Sequence, residues 1–311
     1  MGIIKVCNLK KAYGKIKAVE NISFTVRRGE IFGLLGPNGA GKTTTINMLV
    51  GLVRPTGGNI AIAGIDAVNN RKEVQRMIGV VPDANNLYGE MSGFENLCFC
   101  AALYGLKKTE REKRAKHLLN QFALEQAAHR PFGTYSHGMK RKLTIAAGLI
   151  HDPKILFLDE PTTGIDVTSA RQIRKLILEL KEQGKTVFLT THYLEEAERI
   201  CSRVAFIVGG KIVKIDTVAK FRQNAAGVFK IRLRFTGGKN LLSKLADSKT
   251  YAIEVLNEDS CLVTSPKPLA LAPLLQDLER AGITVYEASQ VKPSLEDIFV
   301  EITSRGQVAQ G

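Results

Sequence analysis

Apolar and polar positions alternate along "ISFTVRRGEIFGLLG", which predicts a strand from Ile22 to Val26, a turn at Gly29 and a second strand from Ile31 to Leu35. A glycine-rich loop follows, then a helical stretch from about Lys42 to Leu52, and "RPTGGNIAIAG" predicts a turn and a strand. Residues 92–130 are rich in charge with apolar positions at three-to-four spacing, the period of a helical insertion. A helix over 141–150 runs into the apolar strand 155–158. Beyond it come a helix over about 167–183, the strand "TVFLT", a helix around "LEEAERICS" and the strand "VAFIV". Short apolar strands alternating with helices predict an α/β fold with a largely parallel sheet covered on both faces.

The pattern changes after Phe221. Strands are predicted at 229–235, 251–257, 261–265 and 283–288, with helices around 239–246 and 269–281. That β-α-β-β-α-β order predicts a small C-terminal α+β domain of the ferredoxin-like kind. The expected division is therefore 1–223, with a helical subdomain over about 92–150, and 224–311. A last helix, "SLEDIFVEITSR", offers Leu295, Ile298 and Phe299 on one face, with no burial partner evident from sequence.

With 311 residues, 44% of them hydrophobic and 24% charged, the chain can build a large domain and a smaller one. No apolar run reaches the roughly 18 residues of a membrane span. The start, "MGIIKVCNLK", lacks a secretory pattern, and Val6 occupies the position where a myristoylation signal has Ser or Thr. A cytosolic chain with free thiols is expected. Its five cysteines, Cys7, Cys98, Cys100, Cys201 and Cys261, do not have zinc-type spacing. Of the net charge of +14, all but one unit falls within residues 1–215. That part attracts anions, whether nucleotide phosphates, acidic lipid head groups or nucleic acid, and a merely solvated basic surface would read the same.

Chemistry narrows the choice. "GLLGPNGAGKTTT" fits G-x-x-x-x-G-K-[ST] as Gly36-Pro37-Asn38-Gly39-Ala40-Gly41-Lys42-Thr43, with Thr44 beside it, between a strand and a helix. Glycines let backbone N–H groups converge on a phosphate, and the helix N-terminus adds positive potential there. Lys42 supplies a full charge to the terminal phosphates, and the Thr43 hydroxyl suits Mg²⁺. "ILFLDE" then explains itself: a buried strand delivers Asp159 and Glu160 to the sheet end where ligands collect. Asp159 is placed for the Mg²⁺ shell and Glu160 for polarising a water against the γ-phosphate.

Over about residues 1–220 these segments resemble the nucleotide-binding subunit of an ATP-binding cassette (ABC) transporter, a P-loop NTPase with an antiparallel β subdomain and a helical insertion. The resemblance extends to "PTTGID", where Asp166 takes the acidic position that contacts a partner subunit. It also covers "LTTHYLEEAE", where His192 matches the switch histidine, and Tyr13, which matches the aromatic that stacks on adenine. "TYSHGMKRKL" stands where the family has a signature of Leu-Ser-Gly-Gly-Gln type. Ser136 and Gly138 are retained, while Tyr135, His137 and Met139 depart, a variant familiar from exporters with a separate membrane subunit. Asp83 in "VVPDANN" replaces the usual Gln and is expected to join the Mg²⁺ shell, making hydrolysis unusually metal-dependent. "PSLEDIFVEIT" is similar to the end of drug-exporter ATPases of the daunorubicin-resistance type and of related ABC-2 systems.

The resemblance implies a cytoplasmic ATPase, peripheral on the inner face of the cell membrane. It would act as a homodimer with two composite sites, each holding ATP between residues 36–44 of one chain and Ser136–Gly138 of the other. The implied partner is a separately encoded transmembrane permease, received by the insertion; Phe94, Leu97 and Tyr104 are candidate lining of that groove or, equally, core of the insertion. No nucleic-acid partner is expected. Two rival readings remain at this stage: a soluble ABC ATPase acting on ribosomes or nucleic acid, and a regulator that binds ATP without hydrolysing it.

Overall fold

The computed structural model describes residues 2–224, 229–237, 251–265, 267, 269–291 and 294–308. The chain divides into two units, Met1–Thr217 and Val218–Gly311.

The first unit opens with two 12-residue strands absent from the sequence expectation at this length. β1 (Gly2–Tyr13) and β2 (Ile16–Arg27) form a hairpin that turns at Gly14, whose φ of 57° suits glycine. With β4 (Gly57–Ile62) and β5 (Ile65–Asp66) they make an antiparallel sheet in the order β2-β1-β4-β5. The second sheet has the order β10-β9-β3-β8-β7-β6. It comprises β3 (Ile31–Leu35), β6 (Ile78–Val81), β7 (Ile155–Asp159), β8 (Thr186–Thr191), β9 (Arg203–Val208) and β10 (Lys211–Thr217). All neighbours run parallel except β10, which is antiparallel to β9. Every residue of β3, β7 and β8 is buried, which is why these strands read as unbroken apolar runs. Phe24 of β2 stacks on Phe32 and Phe188 of the parallel sheet, so one aromatic cluster joins both sheets.

Parallel register aligns the functional loops. Val81 pairs with Leu158, Asp159 with Thr190, and Leu35 with Thr191, so the segments after β3, β6, β7 and β8 leave the sheet at one end. α1 (Lys42–Leu49) begins there, and α2 (Arg71–Met77) precedes β6.

The helical segment is less uniform than its charge pattern suggests. α3 (Gly93–Leu103) starts at a capping box in which Ser92 and Glu95 each accept the other's backbone N–H. α4 (Lys108–Gln121) follows, and short 3₁₀ turns at Glu125–Ala127 and Phe132–Thr134 lead out. α5 (His137–Leu149) begins four residues before the expected start at 141, because the Ser136 hydroxyl accepts the Met139 N–H and caps it. α5 lies unusually close to β6: a Cβ on Gly79 would stand 2.1 Å from the Gly148 carbonyl oxygen. α6 (Val167–Glu182) and α7 (Leu194–Ile200) complete this unit.

In the second unit, β11 (Phe229–Thr236), β12 (Ala252–Val255), β13 (Ser260–Ser265) and β14 (Thr284–Val291) form an antiparallel sheet in the order β12-β13-β11-β14. α9 (Leu271–Arg280) packs Leu274 and Leu278 into a core with Ile231, Leu233, Phe235 and Val263. The helix expected at 239–246 lies outside the described residues. The final helix α10 (Leu295–Val308) buries Leu295 and Ile298 and meets α8 (Val218–Asn224), which supplies the partner its apolar face lacked on paper. That contact draws α8 into the second unit, so the division falls after Thr217 rather than after residue 223.

Candidate nucleotide site

The loop from Gly36 to Gly41 is shaped by its glycines. A Cβ on Gly36 would lie 2.1 Å from the Ile207 carbonyl oxygen, and Gly41 has a φ of 101°. Pro37, Asn38, Gly39 and Thr43 are exposed, whereas Ala40 is buried and Thr44 half-buried, so the loop presents an open rim above a fixed base. Lys42 is only 5% exposed. Its ammonium donates to the carbonyls of Gly36 (2.8 Å) and Pro37 (3.2 Å) and lies 3.2 Å from Glu160 Oε1.

Residues more than a hundred positions apart in sequence thus converge. Glu160 Oε2 lies 3.0 Å from His192 Nδ1 and accepts from Thr163 Oγ1 at 3.2 Å. Burial pushes the Glu160 carboxyl up, but the His192 hydrogen bond and the Lys42 charge outweigh it and hold the group below the usual carboxylate range. Asp159 behaves in the opposite way. Burial raises it, the nearby charges of Glu160 and Asp83 add to the rise, and hydrogen bonds from Thr190 and Thr43 offset only part. An acid pair whose environments push its members apart is the usual mark of divided chemical roles. Glu160 also has a φ of 47°, rare for a non-glycine residue; its N–H donates to the Thr190 carbonyl (3.2 Å) within this turn.

Other expected site residues have different neighbours. Tyr13 closes β1 at 48% exposure with the Lys11 ammonium 4.8 Å above its ring. Ser136 is the exposed cap of α5, and Gly138 is buried so tightly that a Cβ would fall 2.1 Å from Ser169 Oγ. Asp166 caps α6 by accepting the Ser169 N–H at 2.9 Å, and its exposed carboxyl is lowered by that bond. Asp83 is exposed. Among the proposed lining residues, Leu97 is wholly buried in the helical segment, the Phe94 ring meets that of His129 at a tilt of 46°, and Tyr104 lies flat on His151 with ring centres 3.6 Å apart. Tyr88, Phe99, Leu103 and Tyr104 itself are the exposed large apolar side chains there.

Two residues escaped the sequence reading. Thr190 donates to Asp159 from the adjacent strand, and its only signal was a second hydroxyl at the end of an apolar run. Arg141 is 4% exposed and sends its guanidinium to five backbone carbonyls, a role that "GMKRKL" does not advertise.

Among the described residues no group of three or more His, Cys, Asp or Glu side chains is arranged to hold a metal. That suits Mg²⁺, which commonly takes one or two carboxylates and completes its shell with phosphate oxygens and water. Asp159 and Thr43, whose hydroxyl helps to offset the rise of the Asp159 carboxyl, are the side chains that fit it, and when bound the ion would neutralise charge on the terminal phosphates.

A buried lysine folded back over its own glycine loop, facing one depressed and one elevated carboxylate, defines a P-loop nucleoside-triphosphatase. Residues 19–163 match the ABC transporter family. The chain is 36% identical to the linearmycin resistance ATP-binding protein LnrL of Bacillus subtilis, over 96% of this chain and 97% of that one. It is 38% identical to the doxorubicin resistance ATP-binding protein DrrA of Mycobacterium tuberculosis, over 97% and 93%. Of solved structures, an ATP-binding subunit of an ABC transporter is 32% identical, with a TM-score of 0.65 over 72% of this chain and 93% of that one. The cassette MJ0796, in a dimeric post-hydrolysis state bound to ADP and Pi, is 28% identical, with a TM-score of 0.64 over 69% and 98%. The chain belongs to the ABC transporter family, as an ATP-binding and ATP-hydrolysing subunit that powers a transporter. Its cofactors are ATP and Mg²⁺, and the ribosomal or nucleic-acid reading falls away. Among the described residues no helix is long and apolar enough to cross a membrane.

Proposed function

We propose that this ATPase drives an ABC-2-type exporter of drugs, lipids or other small compounds, working as a homodimer at the inner face of the cell membrane. The export reading rests on relatives that match both units: the resistance ATP-binding proteins align over 96–97% of this chain, well past the cassette. Each ATP would sit on residues 36–44 of one chain, with Lys42 on the terminal phosphates and Tyr13 on adenine once Lys11 swings aside. Ser136, Gly138 and Asp166 of the second chain would close it. Thr43 and Asp159, with Asp83 from the neighbouring loop, would serve the Mg²⁺ shell. Glu160 takes the proton of the attacking water, and His192 holds Glu160 in register. Differential affinity of ATP for the closed dimer supplies the motion. Tyr88, Phe99, Leu103 and Tyr104 form the apolar surface proposed to receive the permease. The C-terminal unit, read as ferredoxin-like from its strand order, would serve dimerisation or regulation.

The observation that carries this reading is the 3.2 Å approach of Lys42 to Glu160 beside Asp159. Lys42→Ala should lose tight nucleotide binding, whereas Glu160→Gln should bind ATP, stop turnover and accumulate as a closed dimer in gel filtration. A Glu160→Gln protein that releases phosphate at the parent rate would remove the base assignment. Co-expression with a multi-span membrane protein encoded in a neighbouring reading frame tests the partner: ATPase activity should follow that protein into the membrane fraction.

A further inference from the structure

Arg141 has no place in the scheme above, yet it is among the most fully engaged polar side chains in the chain. Its Nε donates to Pro161 O (2.9 Å), Nη1 to Pro82 O (2.5 Å) and Asp83 O (3.2 Å), and Nη2 to Asp159 O (2.6 Å) and Glu160 O (3.1 Å). A guanidinium has five N–H donors in a rigid fork, and here all five find backbone carbonyls. Those carbonyls belong to two separate loops, one following β6 and one following β7. The strands are parallel neighbours whose last paired residues are Val81 and Leu158, so the loops emerge side by side. Three carboxylates, of Asp83, Asp159 and Glu160, lie close enough to favour the Arg141 charge, but the side chain bonds the main chain instead.

The depth at which Arg141 reaches these loops is set further down its helix. Gly148 is seven residues on, two turns away and therefore on the same face of α5. There the α5 backbone touches β6 through the Gly79–Gly148 contact, where no side chain fits between them. At its other end α5 starts at Ser136 and Gly138, less than two turns from Arg141. One rigid helix thus joins the exposed signature end, a guanidinium clamp and a glycine contact with the sheet.

We infer that Arg141 is a positioning residue for ATP hydrolysis: it locks the Pro82–Asp83 loop to the loop that carries Asp159 and Glu160, and makes both follow the helix that begins at Ser136. Closure of a second chain's nucleotide against Ser136 and Gly138 is then felt at Glu160 of the same chain. The inference rests on the assignment of Glu160 as the base. Holding Glu160 in its left-handed turn is the physical task, since its carbonyl is one of the five acceptors and its N–H is tied to Thr190.

The test uses the full chain with Arg141→Ala and Arg141→Lys. Arg141→Ala should leave the ADP affinity and the KM for ATP unchanged and lower kcat by about 100-fold, the usual scale for loss of alignment without loss of binding. Arg141→Lys keeps the charge but offers donors from one point only, so it should lose kcat similarly. Millimolar guanidinium chloride should restore part of kcat to Arg141→Ala and nothing to Arg141→Lys. Because guanidinium weakens folded proteins, a rate gain that accompanies a lower Tm reports geometry, not stability. A parent rate in either variant overturns the inference. So does a joint fall of kcat, ATP affinity and Tm that guanidinium leaves unrelieved. Glu160→Gln assayed in parallel separates the two assignments: turnover by that variant removes the base, while a guanidinium-dependent rate in Arg141→Ala still reports the clamp.

Discussion

Lys42 lies against Glu160, so a phosphate must compete for it. Replacing Glu160 with Gln should therefore tighten nucleotide binding for a reason separate from blocked hydrolysis. Two unit charges 3.2 Å apart attract by about 5 kcal/mol at an effective dielectric constant of about 20. Both side chains are nearly inaccessible to water, so screening removes little. In the bound state Glu160 keeps His192 and Thr163, and the phosphate replaces it at Lys42, which returns most of that energy. About 1–2 kcal/mol of competition remains, corresponding to roughly 10-fold tighter binding by the variant. ADP is the ligand to use, because it lacks the γ-phosphate that a second chain would grip, and calorimetry in EDTA then reads one chain alone. The pH sign follows from the depressed Glu160 pKa. Its ionic contribution is complete above the unfolded value of about 4.3 and is lost as pH falls through the lower folded value. Parent and variant should therefore differ at neutral pH and converge in acid. Equal affinities at neutral pH would refute the competition.

Three further outcomes follow from the geometry. Asp159 is ionised against its surroundings, so Asp159→Asn should raise the nucleotide-free Tm at neutral pH by about 2–4 °C, the effect of about 1 kcal/mol in a domain of this size, while abolishing Mg²⁺-dependent hydrolysis. That gain should shrink as pH falls through the raised folded pKa, where the parent carboxyl takes up its proton; an unchanged or lower Tm would contradict the burial argument. Gly79→Ala forces a methyl into the Gly148 carbonyl and should cost about 3 kcal/mol in urea denaturation, whereas Gly89→Ala, where a Cβ meets only an ordinary contact at 3.9 Å, should cost far less. Alkylation with iodoacetamide should modify exposed Cys7 first and spare Cys201 and Cys261 until the chain unfolds, since burial pushes the Cys261 thiol to about 11 and Cys201 higher still.

The parallel sheet was legible because its strands are apolar on both faces and its loops carry glycine, proline and paired acids. Of the first hairpin only Ile22–Val26 of β2 was legible: along β1, shifts of register interrupt the alternation that marks a strand, and Asn8 and Asn21 take positive φ. Lys42, Asp159 and Glu160 could be placed from spacing because strand ends in a parallel sheet converge, whereas His192 needed the family resemblance. Arg141 and Thr190 stayed hidden because their partners are backbone carbonyls or a neighbour on the next strand. Such contacts leave no spacing to recognise. Leu97 was left between groove and core for a related reason, and the structure makes it core: the period of α3 marks its apolar positions without telling core from surface.

The stacked rings of Tyr104 and His151 carry a practical consequence. They come from the end of α3 and from the turn between α5 and β7, and the chain contains no tryptophan. An indole installed in place of the phenol would be the sole such emitter, resting on an imidazole that burial keeps neutral. Any rocking of the helical segment would then change the light it gives off, turning a packing contact into an optical gauge.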